Sequence, residues 1–161
     1  MTDRFRWCVM VVTAAAALGA CRSGSTSGEG ASAGYPDPPV AIESARDGDG
    51  AWTVLRTPRS GAEVRYRSDP SPIPLNEPFS LEVELRSADG AAPLEVETLE
   101  VDGRMPHHRH GMNTVPRITS MGGGRYRVDG MLFHMPGRWE LSFDLTRDGV
   151  TERVLQVVML D

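Results

Sequence analysis

The sequence predicts an all-β sandwich, and three observations carry that reading. Strict alternation of apolar and polar residues recurs from residue 52 onward. Apolar spacing of three and four residues, the mark of an amphipathic helix, is absent there. Proline clusters and Asp-Gly pairs punctuate the alternating runs at short intervals. Alternation of period two puts one strand face on a core and the other in solvent. About 7–8 short antiparallel strands of this kind argue two packed sheets of immunoglobulin-like size.

In chain order, residues 52–57 and 62–67 are the first two candidates, separated by a turn at Pro58. Turn signals fill Pro70 to Pro78, and residues 79–86 then alternate through Phe79, Leu81, Val83 and Leu85. Asp89-Gly90 ends that strand, and residues 95–101 make the next. Residues 113–120 and 124–135 flank Met121-Gly122-Gly123, a plausible three-residue loop with glycine available for positive φ. Trp139, Leu141, Phe143 and Leu145 alternate through residues 139–146, and Asp148-Gly149 is a strong hairpin signal leading into residues 150–160. Trp52 and Trp139 read as core residues.

Everything before residue 52 reads as address and tether. Arg4 and Arg6 give residues 1–20 a basic start, and the apolar run that follows is shorter than the ~20 residues a spanning helix needs. Leu18-Gly19-Ala20-Cys21 has the form of a bacterial lipobox, with cleavage before Cys21 and acylation of its thiol. Cys8 then leaves with the leader, so the mature chain keeps no free thiol, disulfide or thiolate zinc site. Residues 21–51 are rich in Gly, Ser, Pro and Asp and read as a flexible tether, with a reach on the order of 30 Å. Residues 52–161 are the folded domain. The expected location is the cell envelope, lipid-anchored and facing the periplasm or the exterior. Arg22, rather than Asp, after the acylated cysteine favours the outer membrane where two membranes are present. The net charge of −5 has no basic tail beside it, which argues against a nucleic-acid partner.

Within the domain, chemistry concentrates between Arg104 and Met135. Three of the four histidines, His107, His108 and His110, fall within four positions, and the fourth is His134. Met105, Met112 and Met135 lie in the same two segments. Imidazole and thioether are ligands that copper, above all Cu(I), accepts readily. Residues 103–128 hold no Asp or Glu, so a hard cation such as Ca²⁺ or Mg²⁺ finds no oxygen ligands there. Zinc would use the histidines and leave the methionines unexplained.

Hairpin register decides whether the two segments meet. Setting Ile118 opposite Tyr126 brings Met112 opposite Leu132 and His110 opposite His134, with directly opposed Cβ atoms ~5 Å apart. His108, His110 and Met112 then share one strand face, and His107 points away with Arg109. Pro116 makes the first strand an edge or irregular. A bulge at Gly130 would shift the count by one and bring Met135 in place of His134.

The ordered motifs Met105-Pro106-His107-His108-Arg109-His110-Gly111-Met112, Gly124 to Val128, and Phe133 to Leu141 resemble the YtkA-like (FixH-related) domain family of bacterial envelope proteins. The resemblance covers roughly residues 78–160. It implies an immunoglobulin-like sandwich in the periplasm or at the cell surface, with the family's paired histidines at His108 and His110 and a variable position at His107. Relatives are linked to copper handling and cytochrome oxidase maturation.

Two function classes follow. In the first, the sandwich binds copper through the His/Met cluster, for copper handling or oxidase maturation, with an envelope protein as possible partner. In the second, Arg104, Arg109, Arg117, Arg125 and Arg127 give the acid-free window a charge of +5 and dock an acidic protein or an anionic headgroup. Arginines grouped apart from the histidines favour docking; histidines converging on one point favour metal. An enzyme is not expected: there is no mature cysteine nucleophile, Gly-x-Ser-x-Gly elbow or phosphate-binding loop.

Overall fold

A computed structural model describes residues 52–161. The expected leader, the lipid attachment at Cys21 and the tether lie outside the described residues. Nine strands form two antiparallel sheets packed as a sandwich. β1 (Thr53–Arg56), β2 (Glu63–Asp69), β3 (Phe79–Arg86), β6 (Arg117–Gly122) and β7 (Arg125–Met131) make one sheet in the order β1-β2-β3-β7-β6. β4 (Thr98–Met105), β5 (His110–Gly111), β8 (Gly137–Arg147) and β9 (Val150–Leu160) make the other, in the order β5-β4-β8-β9. Among the described residues no helix is long and apolar enough to cross a membrane.

The core follows from the alternation. Leu81, Val83 and Leu85 of β3 and Tyr126 and Val128 of β7 face Leu99 and Val101 of β4 and Leu141 and Phe143 of β8, all buried. Asp148 and Gly149, with φ of 52° and 71°, turn β8 into β9 between the paired Arg147 and Val150, as the Asp-Gly pair predicts. Burial raises the Tyr66 hydroxyl pKa to about 12, against a hydrogen bond with Thr53 that lowers it.

Several expectations shift. β4 begins at Thr98 and runs on to Met105, past the expected end at residue 101, because Gly103 occupies an inward position without a side chain to mark it. The β6–β7 register pairs Ile118 with Val128 and Ser120 with Tyr126, two residues from the expected setting. The turn comprises Gly123 and Gly124, and an irregularity sits between Ser120 and Gly122. Gly124 has φ of 70° and is pressed against β3, where a Cβ would lie 2.6 Å from the Leu85 carbonyl oxygen. A shift of two keeps every side chain on its face, so the core survives the misplacement. β6 is an edge strand starting just after Pro116, as the proline requires.

The bulge at Gly130 is present. β3 pairs Leu81 with Val128 but Phe79 with Met131, so two steps on β3 match three on β7, and Gly130 has φ of 83°. Inward positions therefore change parity, from Tyr126 and Val128 to Met131 and Phe133. Trp139 is fully buried, whereas Trp52 is not in the core. Trp52 is half-buried at a sheet edge, with the guanidinium carbons of Arg67 and Arg65 at 4.8 and 5.7 Å from its ring centre.

Candidate metal centre

The histidines gather at one end of the sandwich, where two connections between the sheets meet. β4 ends at Met105, and Pro106 opens a 3-10 turn over Pro106–His108. Arg109 takes a left-handed conformation (φ 56°, ψ 34°) and donates its N–H to the Pro106 carbonyl at 3.2 Å. That reversal returns His110–Gly111 alongside β4, pairing Met105 with His110 and Arg104 with Gly111. The Met112 N–H closes the corner on the Gly103 carbonyl at 3.0 Å.

This geometry corrects the expected strand. His108, His110 and Met112 do not lie on one continuous strand face, because a non-glycine residue in the left-handed region breaks the chain between His108 and His110. β5 also belongs to the four-stranded sheet, so the hairpin count from β6 cannot reach His110. His110 nevertheless approaches His134, from another direction. Residues 132–136 carry the chain from β7 across the end of the sandwich to β8 and bring His134 over the same spot.

Ring centres of His110 and His134 are 5.4 Å apart, and those of His108 and His110 are 5.8 Å apart. Beneath them lies Trp139, meeting His134 edge-on at 5.6 Å and His110 at 6.2 Å. Phe133 stacks on Trp139 at 4.5 Å with the planes 8° apart. The indole N–H donates to the Met135 carbonyl at 2.8 Å, and the Asn76 N–H to the Phe133 carbonyl at 2.8 Å. Gly103 makes room for this stack: a Cβ there would lie 2.3 Å from Phe133 Cε1. Sequence reasoning missed Trp139, Phe133 and Gly103 as parts of the site. The available signal was Trp139 lying five residues after His134 in one motif.

The imidazoles have distinct surroundings. His110 Nδ1 lies 3.1 Å from the Gly111 carbonyl. A carbonyl only accepts, so in the neutral imidazole this contact puts the proton on Nδ1 and leaves the lone pair on Nε2. His134 Nδ1 is buried without a hydrogen-bond partner among the described residues. Such an orphan costs about 1–3 kcal/mol, a cost that a coordinated ion removes. Two imidazoles sharing one ion at ~2.0 Å nitrogen distances have ring centres about 5–6 Å apart, so the spacing fits a metal ion.

The remaining candidates divide. Met112 is half-buried and its sulfur accepts the Leu132 N–H at 3.5 Å, a side-chain contact in place of the strand pairing expected of these two residues. Met135 is half-buried and packs on the core. Met105 is buried within the core, on the inner sheet face that its partner His110 shares. His107 is exposed, and among the described ring contacts it takes no part in the cluster. The three clustered imidazoles form a file rather than a ring of ligands. Among the described residues no three His, Cys, Asp or Glu side chains gather around one point.

The five arginines do not share a face. Arg104 and Arg109 belong to the histidine end, with Arg104 paired to Glu140 at 3.1 Å. Arg117, Arg125 and Arg127 lie on β6 and β7, where Arg125 opposes Glu84, Arg127 opposes Glu82, and Arg127 also bonds Asp129 at 2.9 Å. Carboxylates from β3, β7 and β8 thus interleave with a window that holds none between residues 103 and 128.

A family model described as YtkA-like matches residues 58–144, more than half of the chain. The matched stretch begins well before Pro78 and stops at Asp144 rather than near Leu160, where the sequence resemblance was drawn. No curated protein and no solved structure matches the chain.

Proposed function

This chain belongs to the YtkA-like family, and from that premise we propose that its sandwich is a soft-metal binding domain of the cell envelope. The ion is copper, held by the imidazoles of His110 and His134, with His108 beside them and the Met112 and Met135 thioethers within the same end. The observation that carries this reading is His134, whose Nδ1 is buried without a hydrogen-bond partner among the described residues, with its ring centre 5.4 Å from that of an imidazole whose Nδ1 is already tied to a carbonyl. A carbonyl on Nδ1 is the usual outer partner of a ligating histidine, fixing the ring and raising its basicity. Bound copper would supply charge and soft-ligand coordination that cross-link β5 to the 132–136 crossing.

Support for the envelope setting is the leader and the Leu18-Gly19-Ala20-Cys21 pattern. In this reading the lipid on Cys21 holds the domain near a bilayer, and its role is copper handling or oxidase maturation by binding rather than catalysis. The arginine docking reading has weaker support, because four of its five cations face carboxylates in pairs or in register, Arg117 opposite Asp129 among them.

The experiment is a titration of the leaderless chain with Cu(I), Cu(II) and Zn(II), reading stoichiometry and melting temperature. One equivalent of Cu(I) that raises the melting temperature by mass action supports the reading. No uptake of Cu(I) under reducing conditions overturns it.

A further inference from the structure

We propose that the three imidazoles act as an ordered file, in which His108 is the exchange ligand through which the metal ion enters and leaves and His134 is the ligand that retains it. This rests on the metal reading above and adds a direction to it.

Three observations set the order. The outer end of the file is the most exposed: His108 is exposed, whereas His110 and His134 are both half-buried and His134 Nδ1 is buried. Both ring spacings, 5.8 and 5.4 Å, match the separation of about 5–6 Å expected for two imidazoles on one ion. An ion therefore fits between His108 and His110, or between His110 and His134. His110 is common to both pairs, and with Nδ1 held by Gly111 it offers the same Nε2 to each.

The turn that carries His108 buries none of its three residues, so its side chain swings without disturbing the core. His134 is fixed on a crossing pinned by two hydrogen bonds, Asn76 N–H to Phe133 and Trp139 Nε1–H to Met135. An exposed outer ligand and an inner one on a pinned crossing give stepwise exchange: an outside donor displaces one nitrogen at a time, and the ion is never released bare. The partner chemistry this suits is a soft donor, thiolate or thioether, presented to the exposed His108.

The test follows Cu(I) passing between its bicinchoninate chelate and the leaderless chain, by chelate absorbance, in both directions. His108→Ala should slow loading and unloading together by about tenfold while Kd stays within about threefold, since an exchange ligand changes rates and not the equilibrium. His134→Ala should weaken Kd by about tenfold or more, chiefly through faster unloading. His107→Ala should change neither. Because His134 is partly buried, His134→Gln carries the same comparison if the alanine variant melts early. His108→Ala with unaltered rates, or with a tenfold weaker Kd and unaltered loading, overturns the file and leaves the metal site standing. A wild type that takes up no Cu(I) overturns the metal reading itself.

Discussion

The middle of the sandwich and its histidine end are built by different rules. In the middle, β3, β4, β7 and β8 bury every second side chain, and long antiparallel ladders fix which residues oppose one another. At the end, three imidazoles come from a 3-10 turn, a two-residue strand and a strandless crossing. Local alternation governs the first region, and the way the chain changes sheets governs the second. A side chain in the middle is placed by its neighbours at two residues' distance. His134 is placed by a bulge at Gly130, by Phe133 stacking on Trp139, and by the space left at Gly103.

Trp139 belongs to both regions, so its removal should produce the largest effect. Trp139→Ala should cost about 3–5 kcal/mol, as large aromatic truncations in a core do. It should also loosen the proposed metal site, since Phe133, His110 and His134 lose their common support. Urea unfolding read beside Cu(I) affinity checks this. Lost stability with unchanged affinity would separate the two regions completely.

Gly103→Ala sharpens the boundary between them. The new methyl would meet Phe133 at 2.3 Å, so the ring or the β4 backbone must move. The expected cost is ~1–3 kcal/mol, with weaker Cu(I) binding because Phe133 precedes His134 in the crossing. A variant as stable as the wild type would show that the stack is looser than its distances imply.

A smaller effect is expected at the opposite end of the sandwich, where Glu152 accepts the Arg59 and Ser60 N–H groups at 3.0 Å each. Burial pushes its carboxyl pKa up, but these N–H groups and the hydroxyls of Ser60 and Thr57 more than reverse that, leaving it below the usual value. A lowered pKa means that the folded state binds the proton less readily than the unfolded chain. The stabilisation is thus complete above the unfolded pKa and is lost as pH falls through the folded one. Glu152→Gln should cost on the order of 1 kcal/mol at neutral pH after solvent screening, with the difference closing in acid and no change in Cu(I) affinity. Melting curves of both proteins from pH 7 down to about pH 3 test the sign.

What the sequence made legible divides along the same line. The strand at 79–86, the Asp148-Gly149 hairpin and the inward faces of β8 are where the alternation puts them, because each depends on residues close in the chain. The approach of His110 to His134 was expected, but by continuing a hairpin that stops at Arg117. The real route depends on Arg109 adopting a left-handed conformation, which arginine does not announce. A bulge at Gly130 was one of two alternatives in the β6–β7 hairpin; it occurs against β3 instead, and it did not bring Met135 in for His134, because His110 lies on a strand of the other sheet. The carboxylates that oppose Arg125 and Arg127 sit more than forty residues earlier, at Glu84 and Glu82, so a charge count over one window overstates the patch.

The central claim is that the histidine end is one metal site with His110 at its centre. Cu(I) titration of the wild type, His110→Ala and His107→Ala under reducing conditions tests it most directly. Wild type should take up one equivalent, His110→Ala should bind about tenfold or more weakly, and His107→Ala should match the wild type within about twofold. Equal losses in the two variants, or no uptake by the wild type, would contradict the account.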